Sequence, residues 1–151
     1  MKKISITLYR LFFPLLLGSI VGFIINNNID YNTLTKPPLS PPSILFPIIW
    51  SIIYLLMGIS YYIYRKDYDN TNTIKLYYIQ LIINILWSII FFTLKLRLLS
   101  IIWIIILDIL VIKLYKLFKK DKPLSAYLNI LYIIWIIFAT YLNIGIYLLN
   151  K

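Results

Sequence analysis

Five apolar runs, at about 8–25, 44–64, 74–94, 98–118 and 124–149, occupy most of this 151-residue chain, with short polar breaks between them. Each is long enough to cross a hydrocarbon core of about 30 Å as a helix. Lipid offers no partner to a backbone N–H or C=O, so runs of this length must satisfy those groups internally, as helices do. The chain therefore reads as an all-α integral membrane bundle of five transmembrane helices, one domain over 1–151, with the lipid bilayer as its first partner. Mean hydropathy of +0.87 and 62% hydrophobic residues agree, against about 45–50% in soluble proteins. The first run follows Lys2, Lys3 and Arg10 as a signal peptide would, but "IINNNIDYN" after it has no small-residue cleavage pattern, so it is expected to stay as a helix.

The charges sit at the ends of these runs. Fifteen Lys and Arg against five Asp and no Glu give +10. With the N-terminus in the cytosol, eleven cations (Lys2, Lys3, Arg10, Arg65, Lys66, Lys75, Lys113, Lys116, Lys119, Lys120 and Lys122) face inward and four (Lys36, Lys95, Arg97 and Lys151) face outward. That bias predicts a cytoplasmic N-terminus and an outward first loop, about 26–43. Cations at helix ends snorkel to headgroups rather than form a stripe for nucleic acid, so no nucleic-acid partner is expected.

Cysteine and histidine are absent, which excludes disulfides, thiol chemistry, zinc sites and histidine haem ligation. No metal site is expected. With no Glu and four of the five aspartates in loops, a paired-carboxylate site is not expected either. Asp108 is the one acid inside an apolar run, where a carboxyl is either a functional group or a structural lock.

Polar residues within spans avoid lipid, and several fall on shared faces. Gln80, Asn84, Trp87 and Ser88 make one stripe in the third run, either interhelical glue or a ligand-facing wall. Trp135, Phe138, Ala139, Leu142, Asn143 and Ile146 make another in the fifth, with Ala139 leaving room between aromatic rings. Trp50 and Tyr54 share a face near the start of the second run, as interfacial anchors or as part of a site. Gly18 and Gly22 form a small-xxx-small pair that admits a neighbouring helix, in this chain or a second copy. Five of the seven prolines lie within "KPPLSPPSILFPIIW", residues 36–50. They forbid helix across 37–42 and favour a stiff extended path, a cover over the outer mouth of the bundle.

"KPPLSPPSILFPIIWSIIYLLMGISYYIYR", "QLIINILWSIIFF", Asp108 and "WIIFATYLNIGIYLLN" together resemble the tryptophan-rich sensory protein/translocator protein (TspO/MBR) family, nearly throughout the chain and in the same order. The resemblance implies a commonly dimeric five-helix bundle, so a homodimer is expected, in a bacterial cell membrane, with a ligand cavity under the first loop. It implies a receptor or sensor for porphyrins, protoporphyrin IX or haem, with no required cofactor. The alternatives are a transporter of porphyrin or sterol-like molecules and a light-dependent porphyrin-degrading enzyme, in which Trp50 and Trp135 would do the photochemistry; no other catalytic residue is expected. By motif, Trp50, Asn84, Trp87, Ser88, Trp135, Phe138, Ala139 and Asn143 are similar to the family's cavity walls, and Tyr31, Pro41 and Pro42 to its lid; Tyr54 and Asp108 complete the candidate ligand-binding set. In the lid, Leu39 stands where many members have tryptophan and Ser43 where many have glycine; in the fifth helix Ile144 stands where sterol-binding relatives have tyrosine, and that last departure makes porphyrin a stronger expectation than sterol.

Overall fold

The computed structural model describes residues 2–151, with side chains from Ile4 onward. Helix α1 (Lys2–Ile25) continues into a 3-10 turn (Asn26–Asn28), and an irregular segment leads to α2 (Leu45–Asp67). Helix α3 (Thr71–Ser88) runs on as a π-helical turn (Ile89–Thr93), followed by α4 (Arg97–Asp121), the short α5 (Pro123–Tyr127) and α6 (Ile130–Leu149). Counting α5 and α6 together, five segments are long and apolar enough to cross a membrane. The chain is an integral membrane protein of all-α fold.

The helices overrun the apolar runs. α1 begins at Lys2 rather than near residue 8, and α4 extends to Asp121 rather than ending near 118. A hydrophobic run marks where lipid stops, whereas a helix continues as long as its i→i−4 bonds are made. Asn70 starts α3 by accepting from the N–H groups of Asn72 (3.0 Å) and Thr73 (3.2 Å), two donors the first turn cannot otherwise satisfy.

Two departures from plain helix were not expected. The fifth span is interrupted at Leu128–Asn129. There Asn129 donates to Ser60 Oγ (2.6 Å) and Ser125 O (2.8 Å), and Ser60 Oγ also donates to Ser125 O (2.7 Å), so a freed carbonyl is satisfied between α2 and α5. The third span ends in the π turn, where Leu94 N–H donates to Ile89 O at 2.9 Å.

Helix α1 packs on α2, α4 on α3 and α6, and α5 on α2. The closest approach is at Gly58, where an added Cβ would overlap the Leu11 carbonyl of α1. Tyr61 and Tyr77 stack at 4.0 Å across α2 and α3, and Tyr64, Tyr77, Tyr132 and Phe118 are fully buried.

The bundle has two chemically distinct ends. At one, α2 meets the α4–α5 turn through Lys122 on Asp67 and Tyr64 donating to Asp121 (3.1 Å). At the other, the proline-bearing segment lies across the bundle as a cover. Arg97 at the start of α4 holds Asp30 through two 2.7 Å contacts. Thr35 and Asn150 exchange two hydrogen bonds (3.0 and 2.8 Å), and Tyr141 donates to Pro38 O (2.8 Å). Pro37 is buried against Gly145, where a Cβ would come within 2.5 Å of its ring. Prolines 37–42 are non-helical, as their ring constraints require, and Leu39 at the crown is 84% exposed with φ at +65°.

Candidate functional site

Beneath the cover, aromatic side chains from α2, α3 and α6 form a continuous wall. Trp50 stacks on Tyr54 one turn below (5.5 Å) and faces Trp87 (6.2 Å) and Tyr132 (6.3 Å). Trp87 stacks on Phe91, and Phe46 bridges Tyr31 of the cover (4.9 Å) to Trp135 (5.8 Å). Ring pairs at 4.5–7 Å in stacked and edge-on arrangements are the favourable ones for aromatic quadrupoles.

A hydrogen-bonded chain holds this wall from behind. Tyr54 donates to Asn84 Oδ1 (2.6 Å), Asn84 Nδ2 donates to Tyr132 Oη (2.9 Å), and Tyr132 donates to Gln80 Oε1 (2.9 Å). Gln80 closes it by donating to Tyr77 O (3.0 Å). Asn84 and Gln80 have no exposed surface, so these two members of the α3 stripe act as interhelical glue that orients Tyr54 and Tyr132.

Other donors are left over. Trp87 Nε1, Trp135 Nε1 and Asn143 Nδ2 are buried without a partner, while Asn143 Oδ1 accepts from Ser100 (2.9 Å). An unmade buried hydrogen bond costs about 1–3 kcal/mol, so the donors of Trp87 and Asn143, which line one cavity, favour an acceptor-bearing guest there.

Two cavities adjoin the wall. One, directly under the cover, has a volume of about 20 Å³ and is lined by Tyr31, Trp87, Ala139 and Asn143 among others. The other, about 310 Å³, lies between α1 and α2 and reaches Trp50, Tyr54 and Ser88. Phe46 and Phe92 line both, and no charged side chain lines either.

The expected site residues divide accordingly. Trp50, Tyr54 and Ser88 face the larger cavity; Tyr31, Trp87, Ala139 and Asn143 face the smaller. Trp135 and Phe138 pack on each other (5.7 Å) without lining either, with Trp135 edge-on to Phe46 (5.8 Å). Pro41 shapes the cover by accepting from Tyr31 (2.9 Å), and Pro42 is exposed at its foot. Burial raises the Tyr31 phenol above its ordinary pKa, which keeps it a neutral donor. Asp108 lies apart, on the α4–α6 seam, accepting from Thr140 (2.8 Å) and reaching neither cavity. Lys36, a possible partner for anionic groups, donates to Tyr31 O (3.2 Å) and sits over the Tyr31 ring at 4.9 Å.

Sequence reasoning missed Phe46, Phe92 and Tyr132. Nothing separates the first two from the other six phenylalanines. Tyr132 had a signal, since it lies three residues before Trp135 on the same helical face as Ala139 and Asn143. Among the described residues no group of three or more Asp, Glu, His or Cys is placed to hold a metal ion.

A profile of the TspO/MBR family matches residues 10–149. The chain is 39% identical to a tryptophan-rich protein TspO of Archaeoglobus fulgidus, over 80% of this chain and 79% of that protein. It is 33% identical to a protein of the same name from Chlorobaculum tepidum, over 80% and 78%. A tryptophan-rich sensory protein of Cereibacter sphaeroides is 32% identical over 43% of this chain and 41% of its own length.

Proposed function

The chain belongs to the TspO/MBR family, and from that premise we propose that it is a membrane receptor that binds porphyrins against the Trp50–Trp87–Trp135 wall and senses tetrapyrrole level. The observation that carries this reading is the pairing of a broad aromatic wall with three partnerless buried N–H donors and an uncharged lining. A tetrapyrrole offers an apolar face for stacking and carbonyl or carboxylate acceptors at its rim. Lys36, above Tyr31 at the edge of the cover, is the cation a propionate meets first. With no His or Cys to ligate iron, the metal-free macrocycle is the better guest. The small volume under the cover means that a guest there must turn aside the rings of Phe46, Trp87 and Tyr31, so occupancy rearranges the aromatic wall, which is what a sensor requires.

The test is a titration of tryptophan fluorescence with protoporphyrin IX in detergent, in the dark. The Trp50→Phe/Trp135→Phe double variant is expected to bind at least about tenfold more weakly, equivalent to about 1.4 kcal/mol. Equal affinity would remove the wall from the site.

The cover is proposed to face outward, because the end bearing Lys36, Lys95, Arg97 and Lys151 carries the fewer cations. Reporter fusions after Asn28 and Asn70 check this: the Asn70 fusion is expected to report the cytosol and the Asn28 fusion the opposite side. The reverse pattern overturns the orientation.

A further inference from the structure

Of the two cavities, the larger opens sideways rather than beneath the cover. Helices α1 and α2 meet backbone to backbone at Leu11 and Gly58, and the Tyr54 ring fills the space against Gly18 a few turns nearer the cover. One turn further, Gly22 has nothing within 4 Å of where a Cβ would stand. The pair is therefore a wedge, closed at Gly58 and open from Gly22 to the cover, and the opening is the cleft of about 310 Å³.

The mouth of this wedge suits lipid. Its lips are the exposed Ser19, Gly22, Pro47 and Ser51. Both serine hydroxyls are spent on their own helices, on Leu15 O (2.8 Å) and Pro47 O (2.7 Å), so they ask for no water. Beside it stand the exposed apolar Leu16, Ile20 and Phe23, the last 84% exposed. The back of the cleft is Trp50 stacked on Tyr54, with Phe46 and Phe92 between it and the smaller cavity. The route past the cover, by contrast, is closed by the Asp30–Arg97 pair, the Thr35–Asn150 bonds and Pro37 seated on Gly145.

We propose that the α1–α2 cleft is a second binding site, open to the bilayer, which takes a flat hydrophobic molecule dissolved in lipid and hands it inward between Phe46 and Phe92. The identity of that molecule as a porphyrin rests on the function proposed above; the cleft itself does not. The handover passes between the two phenylalanines, which are the shared wall of both spaces, and the groups that must turn to make room are side chains, so the backbone anchors of the cover stay closed. Entry from the membrane also concentrates an apolar ligand at the mouth, where an aqueous route would hold very little of it.

The experiment uses the full chain in nanodiscs and follows protoporphyrin IX association by tryptophan quenching. Gly22→Phe fills the mouth from one lip, starting from a Cβ position with nothing within 4 Å, and Ser51→Leu fills it from the other. Because the chain has no cysteine, a Thr35→Cys/Asn150→Cys pair, oxidised, locks the cover alone. Association is expected to slow at least tenfold in either mouth variant and to stay within twofold in the locked cover. Wild-type rates in both mouth variants, or a tenfold loss confined to the locked cover, overturn the proposal. If the unmodified chain binds no protoporphyrin, the functional reading fails and brominated phosphatidylcholine decides the cleft. Quenching that depends on Trp50, taken as the difference from Trp50→Phe, is expected to drop at least twofold in Gly22→Phe. Unchanged or absent Trp50-dependent quenching shows that acyl chains do not reach Trp50 through this mouth and overturns the site.

Discussion

Gly58→Ala is expected to destabilise the bundle by about 3 kcal/mol, the upper part of the range for overpacking a filled core, while Gly22→Ala is expected to change stability by less than about 0.5 kcal/mol. The two glycines lie on the same helix pair and differ in what faces them. At Gly58 the obstacle is the Leu11 carbonyl, a backbone group that cannot rotate away, so α1 must move as a body. That displacement also loosens Gly18 from the Tyr54 ring one step along the interface. At Gly22 the added methyl enters open space. Reversible unfolding in mixtures of SDS and dodecyl maltoside measures both. Equal effects at the two positions would mean that α1 and α2 are not in contact at Gly58, and with it the wedge shape of the pair would fall.

The same comparison shows where sequence reasoning reached and where it stopped. Gly18 and Gly22 read as a pair because they are four apart, and that spacing says only that a close neighbour is possible. The close contact at Gly18 is with Tyr54 of the same chain, and at Gly22 nothing among the described residues lies within 4 Å of a Cβ. Gly58 and Gly145, the points of closest backbone approach and of cover docking, carry no such pairing signal. Their one clue was scarcity: with four glycines in the chain, each is a candidate for a place where a side chain does not fit.

The spans were legible because lipid imposes a length and an apolar composition that soluble folding does not. The interruption at Leu128–Asn129 was not, because it is stabilised from another helix, through Ser60 on α2, and no local residue pattern encodes that partner. The candidate site follows the same division. The face shared by Gln80, Asn84, Trp87 and Ser88 is a consequence of helical spacing and is found as expected. That Asn84 is consumed by Tyr54 and Tyr132 could not be read, because a chain with fourteen tyrosines offers too many possible partners. The position of Asp108 is a long-range fact of the same kind, set by the register of α4 against Thr140 on α6.

The second large effect is expected at the cover. Arg97 grips both oxygens of Asp30, donates to the Phe91 carbonyl (2.5 Å) and lies over the Phe91 ring (4.2 Å). Its side chain is 13% exposed and that of Asp30 22%, so the pair is largely withdrawn from water. Breaking a buried pair from one side costs about 3–5 kcal/mol, because the remaining charge is left unpaired. Partial exposure lowers that figure, and Lys95, 3.6 Å from Asp30, still supplies some compensation. Arg97→Ala is therefore expected to weaken the anchor by about 2–3 kcal/mol. Because the anchor ties the cover and not the membrane helices to each other, the loss should appear as local opening. Amide exchange over residues 29–36 is expected to accelerate about 30- to 150-fold, the equivalent of that free energy at 1.4 kcal/mol per factor of ten, with α2 and α3 unchanged. Arg97→Lys keeps the charge but not the planar fork, and should recover less than half of the protection. Unaltered exchange in the cover would mean that Asn150, Tyr141 and Gly145 hold it down without Arg97. Acceleration throughout α2 and α3 would instead make Arg97 a determinant of the whole bundle, since its contact with Phe91 touches the wall on which Trp87 is stacked.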